Sequence, residues 1–383
     1  MRIGIIGNYG HNNNGDEAIL SGLIHQLTTD GNMKKDKIVV FSNNPKNTQS
    51  RHGVQAVPLL HKRGGILSSG LTTVRESRRI MKGLDLIIIG GGGLLMDMYK
   101  RDAPLYSVLG LTGKASGCRI AIHGVGAGPI DTKVGKFFIK RLLQAASTVA
   151  VRDEKSKQLL ERIGVKKDVR VIYDPAFSVP RSSPRTHNDR IQKVGVTAVP
   201  YFSSQYWPET DLARYEAYIS GVAHALDQLI AEKKVQVTFF STKFPEDVQV
   251  TKDIASHMTA RDCVQINENN LLPEEIVALA SEQDVIIGTR LHSLILAVNA
   301  GTPVIGIEYH PKVKDFMATI DNEQFSVPIQ DVDSEANGIY SAFLQMEQDW
   351  HRHQKSITKW SNKLKEEAAA GIKLLQLPTK SRN

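Results

Sequence analysis

Arg290, His292 and Lys312 fall within the stretch IIGTRLHSLILAVNAGTPVIGIEYHPK, Ile286 to Lys312. Their types and spacing suit the binding of an anion. DVIIG reads as a buried strand. Leu291, Leu294, Ile295 and Val298 then recur at helical spacing, with Thr289 as the expected N-cap. Helix N-termini carry partial positive charge and favour Asp or Glu in the first turn. This first turn holds Arg290 and His292 instead. An anion seated on that end would account for both. Lys312 follows the next strand-like run, PVIGIEY, so three cationic groups would converge from two neighbouring strand ends. Lys314, two residues on, serves as the control, because lysines near a loop are ordinarily just solvated.

Four other segments place polar groups after apolar runs. GNYGHNNNGDEAIL (Gly7 to Leu20) offers Asn8, Tyr9, Gly10, Asn14 and Asp16 for substrate contact, without the GxGxxG spacing of a dinucleotide site. The run IIIGGGGLLMD supplies Gly91 and Gly92, whose backbone N–H groups could face an anion or merely allow close packing. AIHGVGAGP puts His123 among glycines at an expected strand end. VAVRDEKS puts Arg152 at another, followed by Asp153 as a natural N-cap. Arginine suits bidentate recognition of carboxylate or phosphate, and the competing reading is a structural Arg–carboxylate pair.

Strand and helix patterns alternate along the chain, which signals parallel α/β sheets. The rhythm breaks at SVPRSSPRTHNDR and then restarts. The expected architecture is GT-B-like: two Rossmann-like domains with parallel sheets and a C-terminal helical segment. The expected boundaries are 1–180 for the first domain, 181–192 for a linker, 193–340 for the second domain and 341–376 for the final helices. Loops at the carboxyl ends of strands are where such sheets bind ligands.

Composition is that of a globular protein, 41% hydrophobic and 23% charged over 383 residues. Net charge is +8, which suits an anionic ligand or membrane surface. Aromatics are 6% and no recognition motif is visible, so nucleic acid is not an expected partner. The two cysteines, Cys118 and Cys263, form no CxxC pair, and no ligand cluster suggests a metal. No apolar run approaches the ~20 residues of a membrane span. The N-terminus reads as a first strand, so the expected location is cytoplasmic. Arg75, Arg78, Arg79 and Lys82, in an expected helix beside His61, Lys62 and Arg63, would suit peripheral contact with the inner face of an anionic membrane.

The segments NYGHNNNGDEAIL, IIIGGGGLL, VAVRDEKS, YDPAF and GTRLHSLILAVNAGTPVIGIEYHPK, in this order, resemble the polysaccharide pyruvyl transferase family. The resemblance implies a GT-B-like fold. It implies transfer of the enolpyruvyl group of phosphoenolpyruvate to a sugar of a cell-surface polysaccharide or its lipid-linked precursor, forming a pyruvate ketal. It implies catalysis by Arg152, His292 and Lys312, with Arg290 and Leu291 in the donor pocket. Many members carry Gln where His123 stands. The chemistry also fits the residues: cations neutralise a carboxylate and a phosphate, and His292 can move a proton near neutral pH. Phosphoenolpyruvate is then a co-substrate, and no cofactor is expected. The second domain would hold the donor pocket, and the first would contribute Arg152 and the acceptor side. The competing functions are a glycosyltransferase with a nucleotide-sugar donor and a non-catalytic anion- or glycan-binding protein.

Overall fold

Apolar runs such as Ile3–Ile6, Leu86–Gly90 and Val285–Gly288 are buried along their whole length, as strands covered on both faces must be. The computed structural model describes residues 1–181, 185, 187–204, 207 and 209–377. The chain divides into two units. Unit 1 comprises residues 1–11, 16–178 and 364–383, and unit 2 comprises 12–15 and 179–363.

Unit 1 contains β1 (Ile3–Ile6), α1 (Asn14–Thr29), β2 (Ile38–Ser42), α2 (Pro45–His52), β3 (Gln55–Pro58), α3 (Ile66–Met81) and β4 (Leu86–Gly90). It continues through α4 (Asp102–Ala115), β5 (Arg119–Val125), α5 (Lys133–Ala145), β6 (Thr148–Val151), α6 (Glu154–Arg162) and β7 (Val169–Val171). The seven strands are all parallel, in the order β3-β2-β1-β4-β5-β6-β7. Strand alternation divides the core between the two faces of the sheet. Ile87, Ile89, Ile120 and Ile122 meet Met81 of α3, Leu109 of α4 and Leu142 of α5. Ile3, Ile5, Ile88 and Ala121 meet Leu20, Leu23 and Leu27 of α1 and the C-terminal Ile372 and Leu375.

Unit 2 contains β8 (Lys193–Thr197), α7 (Leu212–Lys233), β9 (Gln236–Phe239), α8 (Glu246–His257), β10 (Val264–Ile266), α9 (Pro273–Ser281) and β11 (Val285–Gly288). α10 (Leu291–Ala300), β12 (Val304–Glu308), α11 (Pro311–Thr319), β13 (Ser326–Pro328), α12 (Gly338–Gln348) and α13 (Trp350–Ala370) follow. Its six parallel strands run β10-β9-β8-β11-β12-β13.

Two sequence expectations shift. The final helical segment is divided: α13 belongs to unit 2 through Lys363 and to unit 1 from Leu364. Of the expected linker, residues 182–184 and 186 lie outside the described residues. The remainder is fixed on unit 2, because buried Arg185 donates to the Gln283 and Asp284 carbonyls and Asn188 donates to the Asp284 carboxylate at 2.7 Å. Those anchors are polar, so apolar periodicity cannot reveal them.

Candidate functional site

In unit 2 the strand order reverses between β8 and β11. Loops diverge at such a point and leave a crevice at the carboxyl edge. α10 starts there. Thr289 was expected to cap it, but Arg290 is the N-cap residue, and no side-chain bond caps the helix. Thr289 is fully buried, and its hydroxyl donates to the Thr197 carbonyl at the end of β8. Thr197 donates to Ser293, which donates to the Arg290 carbonyl, so β8 holds the start of α10 in place. Neither α10 nor α11 has an acid in its first turn. α8 has Glu246 and Asp247 there, and α9 has Glu274 and Glu275. The helices that follow β11 and β12 therefore keep their positive ends uncompensated by first-turn acids.

Arg290 differs from expectation. Its Nη2 lies 2.6 Å and its Nε 3.1 Å from Oδ1 of Asp247, a carboxylate with no solvent exposure. Asp247 also accepts the backbone N–H groups of Lys243 and Thr242. Burial raises the Asp247 pKa against the pull of Arg290 and these donors. The guanidinium thus acts as a clamp between the start of α10 and the loop after β9, with its charge largely balanced.

His292 and Leu291 open α10, and both are half-buried. Residues 12–15, counted with unit 2, pack against this start: a Cβ on Gly15 would lie 2.4 Å from His292 Nδ1. Only glycine leaves room for the imidazole. Asn14 is fully buried, with its N–H donating to the Thr242 carbonyl at 2.8 Å. Half-buried Lys312 lies in the first turn of α11. Its N–H donates to Nδ1 of His310, the N-cap, at 3.2 Å. Burial, then the Lys312 charge, lower the His310 pKa, so that imidazole is neutral near pH 7. Lys314 is 67% exposed and lies 3.9 Å from Glu308, a long contact of small value.

In unit 1 the order reverses between β1 and β4. Gly91 and Gly92 both have positive φ, and a Cβ on Gly92 would lie 2.9 Å from Oδ1 of Asp16. Asn8 donates to the other Asp16 oxygen at 3.1 Å. A carboxylate over the glycine loop disfavours an anion there and suits a hydroxyl donor. Arg152 is 9% exposed at the end of β6, 3.4 Å from both Asp153 and Asp174. Asp153 caps α6 by accepting the Ser156 N–H at 2.7 Å, a contact worth about 1 kcal/mol.

Tyr9, Gly10 and His123, all expected to meet a ligand, are interior instead, as Asn14 is. Tyr9 is 1% exposed and donates to the Gly90 carbonyl; burial, then Asp16 and Glu17, raise its pKa well above the usual value. Gly10 donates to Glu17, with Ser42 and the Asn44 backbone packed where a Cβ would stand. His123 is fully buried, with neither ring nitrogen hydrogen-bonded, and burial lowers its pKa to about 4.

The family model of polysaccharide pyruvyl transferase matches residues 13–311. The chain belongs to that family. Pyruvyl transfer in polysaccharide biosynthesis is the activity this membership supports, which makes the protein a transferase. The chain is 21% identical to the amylovoran biosynthesis protein AmsJ of Erwinia amylovora, over 91% of this chain and 94% of that one. Two solved structures share the fold. Anabaena Alr3699/HepE, in complex with UDP and glucose, has a TM-score of 0.61 at 13% identity, covering 98% of this chain and 97% of that one. A putative UDP-N-acetylglucosamine 2-epimerase of Listeria monocytogenes has a TM-score of 0.62 at 11% identity, covering 98% and 94%. The fold is accordingly GT-B-like.

Sequence reasoning missed Asp247, Asp174 and His310. Asp174 stands in the YDPAF motif, and its partner Arg152 was already in view as a candidate for a structural pair. His310 immediately precedes the Pro311 that opens α11, a position from which its ring could be read as an N-cap. Asp247 gave no signal, because nothing in PEDVQV distinguishes it from a solvated acid in a first turn.

Proposed function

We propose that this pyruvyl transferase takes the enolpyruvyl group from phosphoenolpyruvate, passes it to a sugar as a pyruvate ketal, and releases phosphate. The observation that carries the reading is the start of α10 at the strand reversal of unit 2. It lacks first-turn acids and side-chain caps, holds half-buried His292, and adjoins the α11 start with Lys312. Two helix starts and one lysine suit a ligand that carries both a carboxylate and a phosphate.

In this mechanism His292 delivers a proton to C3 of the donor as one sugar hydroxyl adds to C2. The C2–O bond to phosphate breaks, and phosphate leaves with the bond's electron pair and takes up the proton of that first hydroxyl. A second hydroxyl of the same sugar then bonds to C2, which closes the ketal, and its proton returns to the histidine. Lys312 and the helix N–H groups stabilise the negative charge on departing phosphate. Arg290 positions the start of α10 through Asp247. Arg152 remains a third catalytic residue on the family resemblance.

The test measures phosphate release and sugar modification with phosphoenolpyruvate or a panel of nucleotide sugars as donor. Turnover is expected only with phosphoenolpyruvate. Lys312→Ala should weaken donor use by ~2–5 kcal/mol, as truncating a charged hydrogen-bonding partner commonly does. Lys314→Ala should leave it unchanged. Nucleotide-sugar turnover without phosphoenolpyruvate would overturn the proposal.

A further inference from the structure

Eight large apolar side chains are strongly exposed among the described residues, and seven of them belong to unit 1. Ile66, Leu67 and Leu71 are 93%, 85% and 74% exposed in the first turns of α3. Met98 and Tyr99 protrude from the loop before α4, and Val134 and Phe137 from the start of α5. These three helices share one face of the sheet, with α4 packed against both α3 and α5. Each follows a strand of an all-parallel sheet, so their N-terminal ends lie along the same carboxyl edge. The seven side chains therefore line one rim.

The charge on that rim is one-sided. Residues 61–82, 98–102 and 131–141 hold twelve Lys or Arg and only three Asp or Glu. α3 shows the arrangement most clearly. Thr73, Ser77 and Met81 face the core, while Leu67 and Leu71 begin an outward face that continues as Arg75, Arg78 and Lys82. A helix with apolar residues at one end and cations along the same exposed side is suited to the boundary between acyl chains and headgroups. Scattered exposed apolar residues need no explanation, but seven gathered along one sheet edge among cations do.

We propose that this rim docks unit 1 on the surface of an anionic lipid bilayer. Ile66, Leu67, Leu71, Phe137 and their neighbours enter the headgroup region, and the surrounding Lys and Arg meet anionic headgroups. The contact is peripheral: among the described residues no helix is long and apolar enough to cross a membrane. A second copy of the chain is a poorer occupant, because a two-fold contact would set two strongly cationic rims against each other.

The test is vesicle co-sedimentation of the full chain, read without turnover, so it stands or falls apart from pyruvyl transfer. The vesicles are phosphatidylcholine alone and phosphatidylcholine with phosphatidylglycerol. Wild type should sediment with the anionic vesicles and much less with the neutral ones. Leu67→Ser with Leu71→Ser, and separately Arg75→Glu with Arg78→Glu, should each lower partitioning about tenfold or more. These side chains are exposed, so thermal melts should match wild type. Leu212→Ser, at the exposed apolar residue of unit 2, should change nothing. Equal sedimentation with both vesicle types would overturn the proposal. So would an apolar double variant that binds as well as wild type, or self-association in sedimentation velocity that the variants abolish without any vesicle binding.

Discussion

Each unit carries a histidine and an arginine toward the carboxyl edge of a parallel sheet: His123 with Arg152 in unit 1, His292 with Arg290 in unit 2. In sequence the two pairs look alike, since each residue lies at or near the end of an apolar run. The structure separates them by backbone register. β5 runs on to Val125, so His123 lies inside the strand, opposite Gly90 of β4. It shares the strand face of Ala121 and sits against Gly371, whose Cβ, if present, would be 3.3 Å from its ring. β11 stops at Gly288, so Arg290 and His292 fall beyond its end and begin a helix. A strand-end histidine is a candidate for chemistry only when the strand has finished before it. The arginines teach a second lesson. Both are held by buried carboxylates, Asp174 and Asp247, so neither supplies a bare positive charge.

The comparison breaks most visibly at the histidines' effect on turnover. His292→Ala should still bind phosphoenolpyruvate, because Lys312 and the helix starts remain. Turnover at saturating donor should fall by ~10²–10⁴, the range for a general acid–base residue. His292→Gln should be nearly as slow, since an amide keeps a hydrogen bond but cannot titrate. A limb of the pH–rate profile should vanish in both. Wild-type turnover in both variants would remove His292 from the mechanism and make His310, at the next helix start, the residue to test.

The arginine pairs sharpen the comparison through stability. Asp247 lies 2.6 Å from Arg290 with no exposure, whereas Asp174 lies 3.4 Å from Arg152. Breaking a buried pair strands a charge, typically at ~3–5 kcal/mol, so Asp247→Ala should unfold at markedly lower urea. Asp174→Ala should cost less. Equal midpoints for Asp247→Ala and wild type would mean that Arg290 is not a clamp, and would return it to direct donor contact.

The sequence made the sheets legible because parallel strands buried on both faces are continuous apolar runs, such as LIIIG and DVIIG. Elements with weak apolar patterns went unread. α2 is PKNTQSRH, with a polar composition throughout, and β3 and β10 are short edge strands. At the site, residue type and strand order were enough to single out His292 and Lys312. They could not reveal which carboxylate meets Arg290, since Asp247 is 43 residues away and joins it only through the fold. They could not reveal the tie between Asn14 and the Thr242 carbonyl for the same reason.

The smallest expected effect belongs to His123 and concerns pH. Its pKa is lowered to about 4 by burial, with no opposing charge. The unfolded chain should protonate this histidine near the ordinary value of ~6.5. Between these values the unfolded state binds more protons, so stability rises with pH there. The stabilisation is therefore complete above about pH 6.5 and is lost as pH falls toward 4, by ~3 kcal/mol if the whole shift is expressed. Carboxylates elsewhere titrate over part of the same range, so wild type alone cannot isolate the effect. His123→Leu removes the titrating group and keeps an apolar side chain of similar bulk against Gly371. Urea midpoints measured from pH 7 down to pH 4 should fall more steeply for wild type than for His123→Leu, while turnover at pH 7 stays within a few fold. Parallel profiles would show that His123 takes up its proton without unfolding unit 1, and the dry interior assigned to it would be wrong.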